Sequence, residues 1–280
     1  YVDINRHDYN MNPSLVEQLI TPKTKCIIAQ NTFGYSSDID QLKALADRHQ
    51  LLLLEDCTHG YGGFYKGKEN GTLCDAAFFS TQWNKPFSTG IGGFAWVREK
   101  DVADRMQAFE AKLLEPGFVE VVVLRISLLV RRYLSNSSAY WTILKLYRLL
   151  SKIPGFPGSS SAGEIASTVE PQGYLKGLSQ LQAKAGIPAL QSVKSAVSHQ
   201  CAVAAQYDAF FQQHGKPRQT YPELAGHTFL KYPILVKERA RFLQEAEQHN
   251  IELGEWFLSP LHPVMDHLES WNYTVGSCPV

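Results

Sequence analysis

The chain has 280 residues, 27 basic and 27 acidic side chains, and a formal net charge of 0 at pH 7. With 44% hydrophobic and 19% charged residues it is too apolar to be disordered, and its balanced charge gives no electrostatic reason to expect a nucleic-acid partner. The length suits one large domain or two ordinary ones, with a core that needs neither disulfides nor metals.

Asn12, Pro13 and Ser14 open a predicted helix over 12–20, with Leu15, Val16, Leu19 and Ile20 on one face. Residues 25–30 read as a short buried strand. A second helix is predicted over 38–49, where Ile39, Leu42, Leu45 and Ala46 recur at helical spacing. Four leucines at 51–54 end abruptly in Glu55 and Asp56. Such a run suits a strand buried on both faces, the signature of a parallel sheet. Further strands are predicted at 76–79 and 93–97. The alternation implies an α/β fold, a mostly parallel or mixed sheet flanked by helices with right-handed crossovers.

Residues 101–115 and 119–150 read as helical. The stretch 118–150 is the most lipid-like, but Glu120, Arg125, Arg131, Arg132, Lys145 and Arg148 interrupt it, and a spanning helix tolerates few charges. Burial of an apolar face in an oligomer or against the core is the preferred reading. Contact of a basic amphipathic helix with a membrane surface is the lesser one. A Pro-, Gly- and Ser-rich loop is predicted at 154–163. Residues 178–211 are expected to be helical with a break near 186–188. A strand at 228–236, a helix at 238–249 and a strand at 251–256 suggest a smaller α+β C-terminal domain. The five cysteines form no CxxC and no His/Cys cluster at metal spacing, so no metal is expected and reduced thiols in the cytoplasm are the plain reading.

In an open parallel sheet, ligands bind beyond the carboxyl ends of the strands. Three polar stretches follow predicted strands or precede the next one: Glu55-Asp56-Cys57-Thr58-His59-Gly60, Ser80-Thr81-Gln82-Trp83-Asn84-Lys85, and Gly90-Ile91-Gly92-Gly93. Taken singly, Asp56 could be a turn or capping residue, Lys85 a solvated amine, Ser80 a partner for nearby backbone, and the glycines a tight turn. Taken together they match the needs of pyridoxal phosphate. Its aldehyde needs a primary amine to form a Schiff base, which only lysine supplies. Its ring is an electron sink while the ring nitrogen stays protonated, which a buried carboxylate favours. Its phosphate needs hydroxyls and backbone N–H groups.

Asn31-Thr32-Phe33-Gly34, the 55–60 stretch, Tyr65-Lys66-Gly67, Gly71-Thr72, Asp75, Phe79-Ser80, Lys85 and the 90–93 stretch fall in the order and spacing of one family. The chain resembles the DegT/StrS-type sugar aminotransferases, pyridoxal-phosphate enzymes of the aspartate-aminotransferase fold. Ile20-Thr21-Pro22-Lys23-Thr24-Lys25, Leu181-Gln182-Ala183 and Ser259-Pro260-Leu261-His262 extend the likeness.

The resemblance implies roles. Lys85 would be the Schiff-base lysine and proton shuttle, Asp56 the partner of the pyridine nitrogen, and Ser80 a phosphate ligand. His59 stands where the family often has Gln, near the phenolic oxygen. Family members act on nucleotide-linked keto-sugars, usually with glutamate as amino donor, in cell-surface polysaccharide or glycoside biosynthesis, and work as homodimers. Their dehydratase relatives carry His at the lysine's place, so Lys85 argues for amino transfer over dehydration. A non-catalytic or regulatory relative is the third reading. Ile91 replaces a commonly acidic residue, and Trp83 a small residue or Pro. Tyr174-Leu175-Lys176-Gly177 stands where the family's Tyr-Asn-Tyr-Arg stretch reaches the partner's phosphate; Lys176 could compensate as a point charge.

On the same likeness, residues 1–195 are expected to be part of the large cofactor-binding domain, with a divergent helical segment at about 110–165. Residues 196–280 are expected to be part of the small domain. The chain is expected to start inside the large domain and end before the small domain's last helix. As 280 residues alone it is expected to bind pyridoxal phosphate poorly and to expose apolar surface.

Overall fold

A computed structural model describes residues 1–134, 139–150, 167–170, 175–217, 221 and 225–280. The predicted loop at 154–163 and Tyr174 lie outside the described residues, as does the side chain of Arg148.

The central sheet contains β1 (Cys26–Gln30), β2 (Leu52–Asp56), β5 (Ala76–Ser80) and β6 (Gly93–Val97), side by side in that order. The first three are parallel and β6 runs antiparallel to β5. Register places Gln30 beside Asp56 and Asp56 beside Phe78, so the carboxyl ends of three strands share one edge. β3 (Phe64–Tyr65) and β4 (Lys68–Glu69) form a hairpin, which β7 (Ala225–Gly226) extends from far along the chain.

Helix α1 (Ile39–Arg48) forms where sequence periodicity placed it. The Asp38 carboxylate caps it by accepting from the Gln41 N–H at 3.2 Å. Its Ile39, Leu42, Leu45 and Ala46 are buried with Ile27, Ala29 and Leu53 of the sheet. The four-leucine run, however, is not buried on both faces. Strand side chains alternate, and Leu53 is buried while Leu52 is 57% exposed. Ile28 and Phe78 on neighbouring strands are exposed with it. The buried face is the one α1 covers.

The predicted helix over 12–20 is instead two 3-10 turns, Pro13–Leu15 and Glu17–Leu19. So short a segment carries too few hydrogen bonds to offset the cost of helix nucleation, and Ile20 already leaves the helical region at ψ 130. Beyond β6, α2 (Lys100–Glu110), α3 (Phe118–Leu134) and α4 (Tyr140–Leu150) follow the predicted helical stretches. Among the described residues no helix is long and apolar enough to cross a membrane.

Helix α5 (Gln180–Gln191) runs through Pro188 without the predicted break near 186–188. Its N-terminus is held by a full capping box between Ser179 and Gln182. Gly186 lies against Thr89 and Phe87, where an added Cβ would come within 3.1 Å of Thr89 Cγ2. This packing outweighs the single hydrogen bond that proline cannot donate. The break falls at Ser192, before α6 (Val193–Gln213). The expected domain boundary at 195–196 therefore lies inside a continuous helix.

In the C-terminal part only α7 (Arg239–Gln248) matches its predicted element. The strands expected at 228–236 and 251–256 do not form. The first segment satisfies its backbone elsewhere: the Thr228 N–H donates to the Gly34 carbonyl at 2.9 Å and the Lys231 N–H to the Phe33 carbonyl at 3.1 Å. A turn, not a sheet edge, takes those bonds.

Candidate active site

The site is built where β1, β2 and β5 end. At the end of β2, alternation sends Glu55 and Asp56 to opposite faces. Glu55 is fully buried and structural. It accepts from Asn31 Nδ2 at 2.8 Å and from the Gly71 N–H at 2.7 Å. Asn31 in turn accepts the Ser37 N–H at 2.9 Å. Asp56 points to the other face, where its Oδ1 accepts the Thr58 N–H at 2.9 Å. Burial raises the Asp56 carboxyl above the usual carboxylate range, against the pull of Thr58 and of the Lys85 charge.

His59 follows on the same loop and is buried. Its carbonyl accepts from Thr228 Oγ1 at 2.7 Å, and its ring meets the Trp256 ring edge-on at 5.6 Å. The ring's Nδ1 is buried with no hydrogen-bond partner. Burial, then the charges of Lys85 and Lys231, push the imidazole down to about 3. It is therefore neutral near pH 7 and has one N–H to offer.

Ser80 ends β5, and its Oγ accepts the Gln82 N–H at 3.4 Å. A turn closed by the Lys85 N–H on the Gln82 carbonyl, at 3.1 Å, then presents Lys85. This loop is anchored at both ends. The Thr81 N–H donates to the Gly92 carbonyl at 2.9 Å, and the hydroxyls of Thr81 and Thr89 meet at 2.7 Å. Gln182 of α5 donates through Nε2 to the Ile91 carbonyl. Gly93 must be glycine-sized, because an added Cβ would stand 2.5 Å from the Phe79 carbonyl oxygen. Gly90, at φ +96, has the Trp83 ring and Leu124 of α3 against it. Trp83 Nε1, like His59 Nδ1, is buried without a partner.

Lys85 is half-buried. Burial first, then the Lys231 charge, lower its ammonium to about 8, while the Asp56 carboxylate pulls upward. An amine in that range is uncharged in a useful fraction at neutral pH, which a nucleophile or proton carrier needs.

Asp56, His59, Ser80 and Lys85 thus lie on two adjacent strand ends, and the Lys85 charge acts on both Asp56 and His59. Sequence reasoning missed Lys231 and Trp256 and gave Glu55 no role of its own. Lys231 Nζ lies over the Trp256 ring, 5.8 Å from its centroid, and its charge acts on Lys85 and His59. Leu175 is exposed, and Lys176 is engaged by Glu120 of α3.

The profile of the DegT/DnrJ/EryC1/StrS aminotransferase family matches residues 1–121 and 142–280. The chain is similar to the GDP-perosamine synthase of Caulobacter vibrioides, 36% identical over 116 residues, 41% of this chain and 31% of that protein. It is similar to the L-glutamine:2-deoxy-scyllo-inosose aminotransferase of Streptoalloteichus tenebrarius, 36% identical over 110 residues, 39% of this chain and 26% of that protein. The solved structure of an E. coli GDP-4-keto-6-deoxy-D-mannose-3-dehydratase with bound hydrated PLP matches with a TM-score of 0.62 at 18% identity, over 90% of this chain and 58% of that one. The last likeness shows the fold. The chain spans less than two thirds of the length of the curated relatives it matches.

Proposed function

Because the chain belongs to the DegT/DnrJ/EryC1/StrS aminotransferase family, we propose that the protein is a pyridoxal-phosphate-dependent aminotransferase that moves an amino group from an amino acid to a keto-sugar. One observation carries this reading: the carboxyl edge of the sheet holds a half-buried lysine with a lowered pKa, a half-buried carboxylate whose charge acts on it, and a neutral imidazole whose Nδ1 has no partner.

The residues present fit pyridoxal phosphate. When bound, that cofactor supplies an aldehyde that condenses with an amine and a ring that withdraws electrons while its nitrogen is protonated. Asp56 is the carboxylate to accept that nitrogen's N–H. Its burial strengthens the charge-assisted bond once formed. His59 has a neutral ring nitrogen to offer the phenolic oxygen. The Ser80 hydroxyl is a donor for the phosphate. Lys85 Nζ holds the covalent position and, uncharged in part, can take a proton and return it. Trp256 lays its ring against His59 and under Lys231, apolar surface that strengthens the electrostatic contacts beside it.

The amino donor is an amino acid, with glutamate or glutamine the candidates; one relative's name specifies glutamine. A nucleotide-linked keto-sugar of cell-surface polysaccharide or glycoside biosynthesis is the proposed acceptor, in line with the GDP-sugar synthase similarity. A homodimer and a cytoplasmic setting complete the reading. So does a large part at 1–195 joined through α6 to a smaller part at 196–280. Sugar dehydration is set aside because a lysine stands at position 85. A non-catalytic relative is the second reading, favoured by Lys176 being engaged by Glu120 rather than free to meet a partner's phosphate.

The test is addition of pyridoxal phosphate to the full-length protein, borohydride reduction and peptide mapping. A tag on Lys85, and amino-sugar formation from nucleotide-linked 3-keto or 4-keto sugars, is the expected result. Unchanged turnover in Lys85→Arg, or a deoxy-sugar product without an amine, would sink the assignment.

A further inference from the structure

Lys231 is a second amine in the site, and the roles assigned to Lys85, Asp56, His59 and Ser80 leave it without one. It is half-buried and takes part in no ion pair among the described residues. It is also held in place. Its N–H donates to the Phe33 carbonyl at 3.1 Å, and three residues earlier Thr228 Oγ1 donates to the His59 carbonyl at 2.7 Å. The segment 228–231 is therefore strapped across the ends of β1 and β2. Its ammonium lies 5.8 Å from the centroid of Trp256, whose ring touches His59. An ammonium over an indole face is attracted to the ring while it loses water. A half-desolvated cation without a carboxylate invites an anion.

From this geometry we propose that Lys231, seated on Trp256, binds the α-carboxylate of the amino-acid donor. The inference rests on the aminotransferase reading and sharpens it. Position favours a carboxylate over a phosphate. In an amino acid the carboxylate sits on the same carbon as the reacting nitrogen, so it must lie close to Lys85. In a nucleotide-linked sugar the phosphate hangs from the anomeric oxygen, separated from a 3-keto or 4-keto carbon by further ring atoms. Lys231 sits over Trp256, whose ring meets His59, and its stretch of chain is tied to the His59 carbonyl through Thr228; its charge acts on Lys85 and on His59, which fits the nearer position. One cation also matches a carboxylate in charge better than it matches a diphosphate. On arrival, the carboxylate neutralises the cation that Lys85 otherwise feels.

The experiment uses the full-length protein loaded with pyridoxal phosphate and three probes. α-Methyl-L-glutamate has the carboxylate but cannot complete transfer, so its binding is read from the cofactor's absorbance. Isopropylamine carries the amine without a carboxylate. GDP stands for the phosphate source. In Lys231→Met and Lys231→Gln, α-methyl-L-glutamate should bind about 10- to 100-fold more weakly, the loss of one charge-assisted contact. Isopropylamine should bind within about twofold of wild type, and Lys231→Arg should recover most of the loss. Weaker GDP binding with unchanged α-methyl-L-glutamate would overturn the proposal in favour of a phosphate site. Equal weakening of both amines, or loss of cofactor attachment alongside, would overturn it in favour of a structural role. Wild-type protein that never attaches the cofactor at Lys85 sinks the aminotransferase reading itself. Attachment with no effect of either neutral variant sinks this inference alone.

Discussion

The lowered pKa of Lys85 carries a cost in folding stability, and this can be measured. Its ammonium falls from an ordinary 10.5 to about 8, first through burial and then through the Lys231 charge. Every tenfold loss of proton affinity is worth about 1.4 kcal/mol, so below pH 8 the folded state carries a cost of about 3 kcal/mol for holding the charged form. Lys85 is only half-buried, and solvent screening reduces the figure to about 1–2 kcal/mol. Lys85→Met in the cofactor-free protein should therefore be more stable than wild type by about that amount at pH 7.

The sign with pH follows from proton counting. Between about pH 8 and 10.5 the unfolded chain still binds the Lys85 proton and the folded chain has released it. Stability rises with pH wherever the unfolded state binds more protons. Wild type should therefore gain on Lys85→Met across that window, and the difference should close towards pH 10.5. Urea unfolding of both proteins at pH 7, 8, 9 and 10 reads it. A difference that does not depend on pH, or a variant less stable at pH 7, would show that the lysine is not held against its preferred charge state.

Three further outcomes follow from named contacts. Gly93→Ala places a Cβ 2.5 Å from the Phe79 carbonyl oxygen, so it should cost about 1–3 kcal/mol in thermal melting by pushing β6 from β5. Asn31→Ala withdraws the 2.8 Å bond to buried Glu55 and should cost about 2–3 kcal/mol in chemical unfolding; a loss near zero would mean that the Gly71 N–H and the Cys74 thiol satisfy that carboxylate without it. His59 is already neutral well above its pKa of about 3, so cofactor affinity between pH 5.5 and 8 should show no step from it. His59→Gln should leave the shape of that profile unchanged.

What could be read from the sequence, and what could not, divides along contact distance. The placement of Asp56 and Lys85 at the carboxyl edge of the sheet was legible because both sit within a few residues of a strand that ends in polar residues. The α1 helix was legible because its cap and its apolar face are local. The same local logic misplaced the burial of the 51–54 run, since four leucines cannot say how many faces a neighbouring helix covers. It misplaced the break at Pro188, because the packing of Gly186 on Phe87 and Thr89 is not written in the proline. It made strands of 228–236 because apolar extended residues look the same whether a sheet edge or the Phe33–Gly34 turn takes their N–H groups. Lys231 is the sharpest case. Nothing within ten residues of it suggests a site, and it arrives there through a hydroxyl bond from Thr228 to His59 that spans 169 positions. Motif spacing therefore favours residues whose job is general to the chemistry, such as an amine or a carboxylate at a strand end. Lys231, which we propose meets the donor's carboxylate, comes from a segment folded back over that edge, where only the assembled chain shows a cation with no ion pair among the described residues.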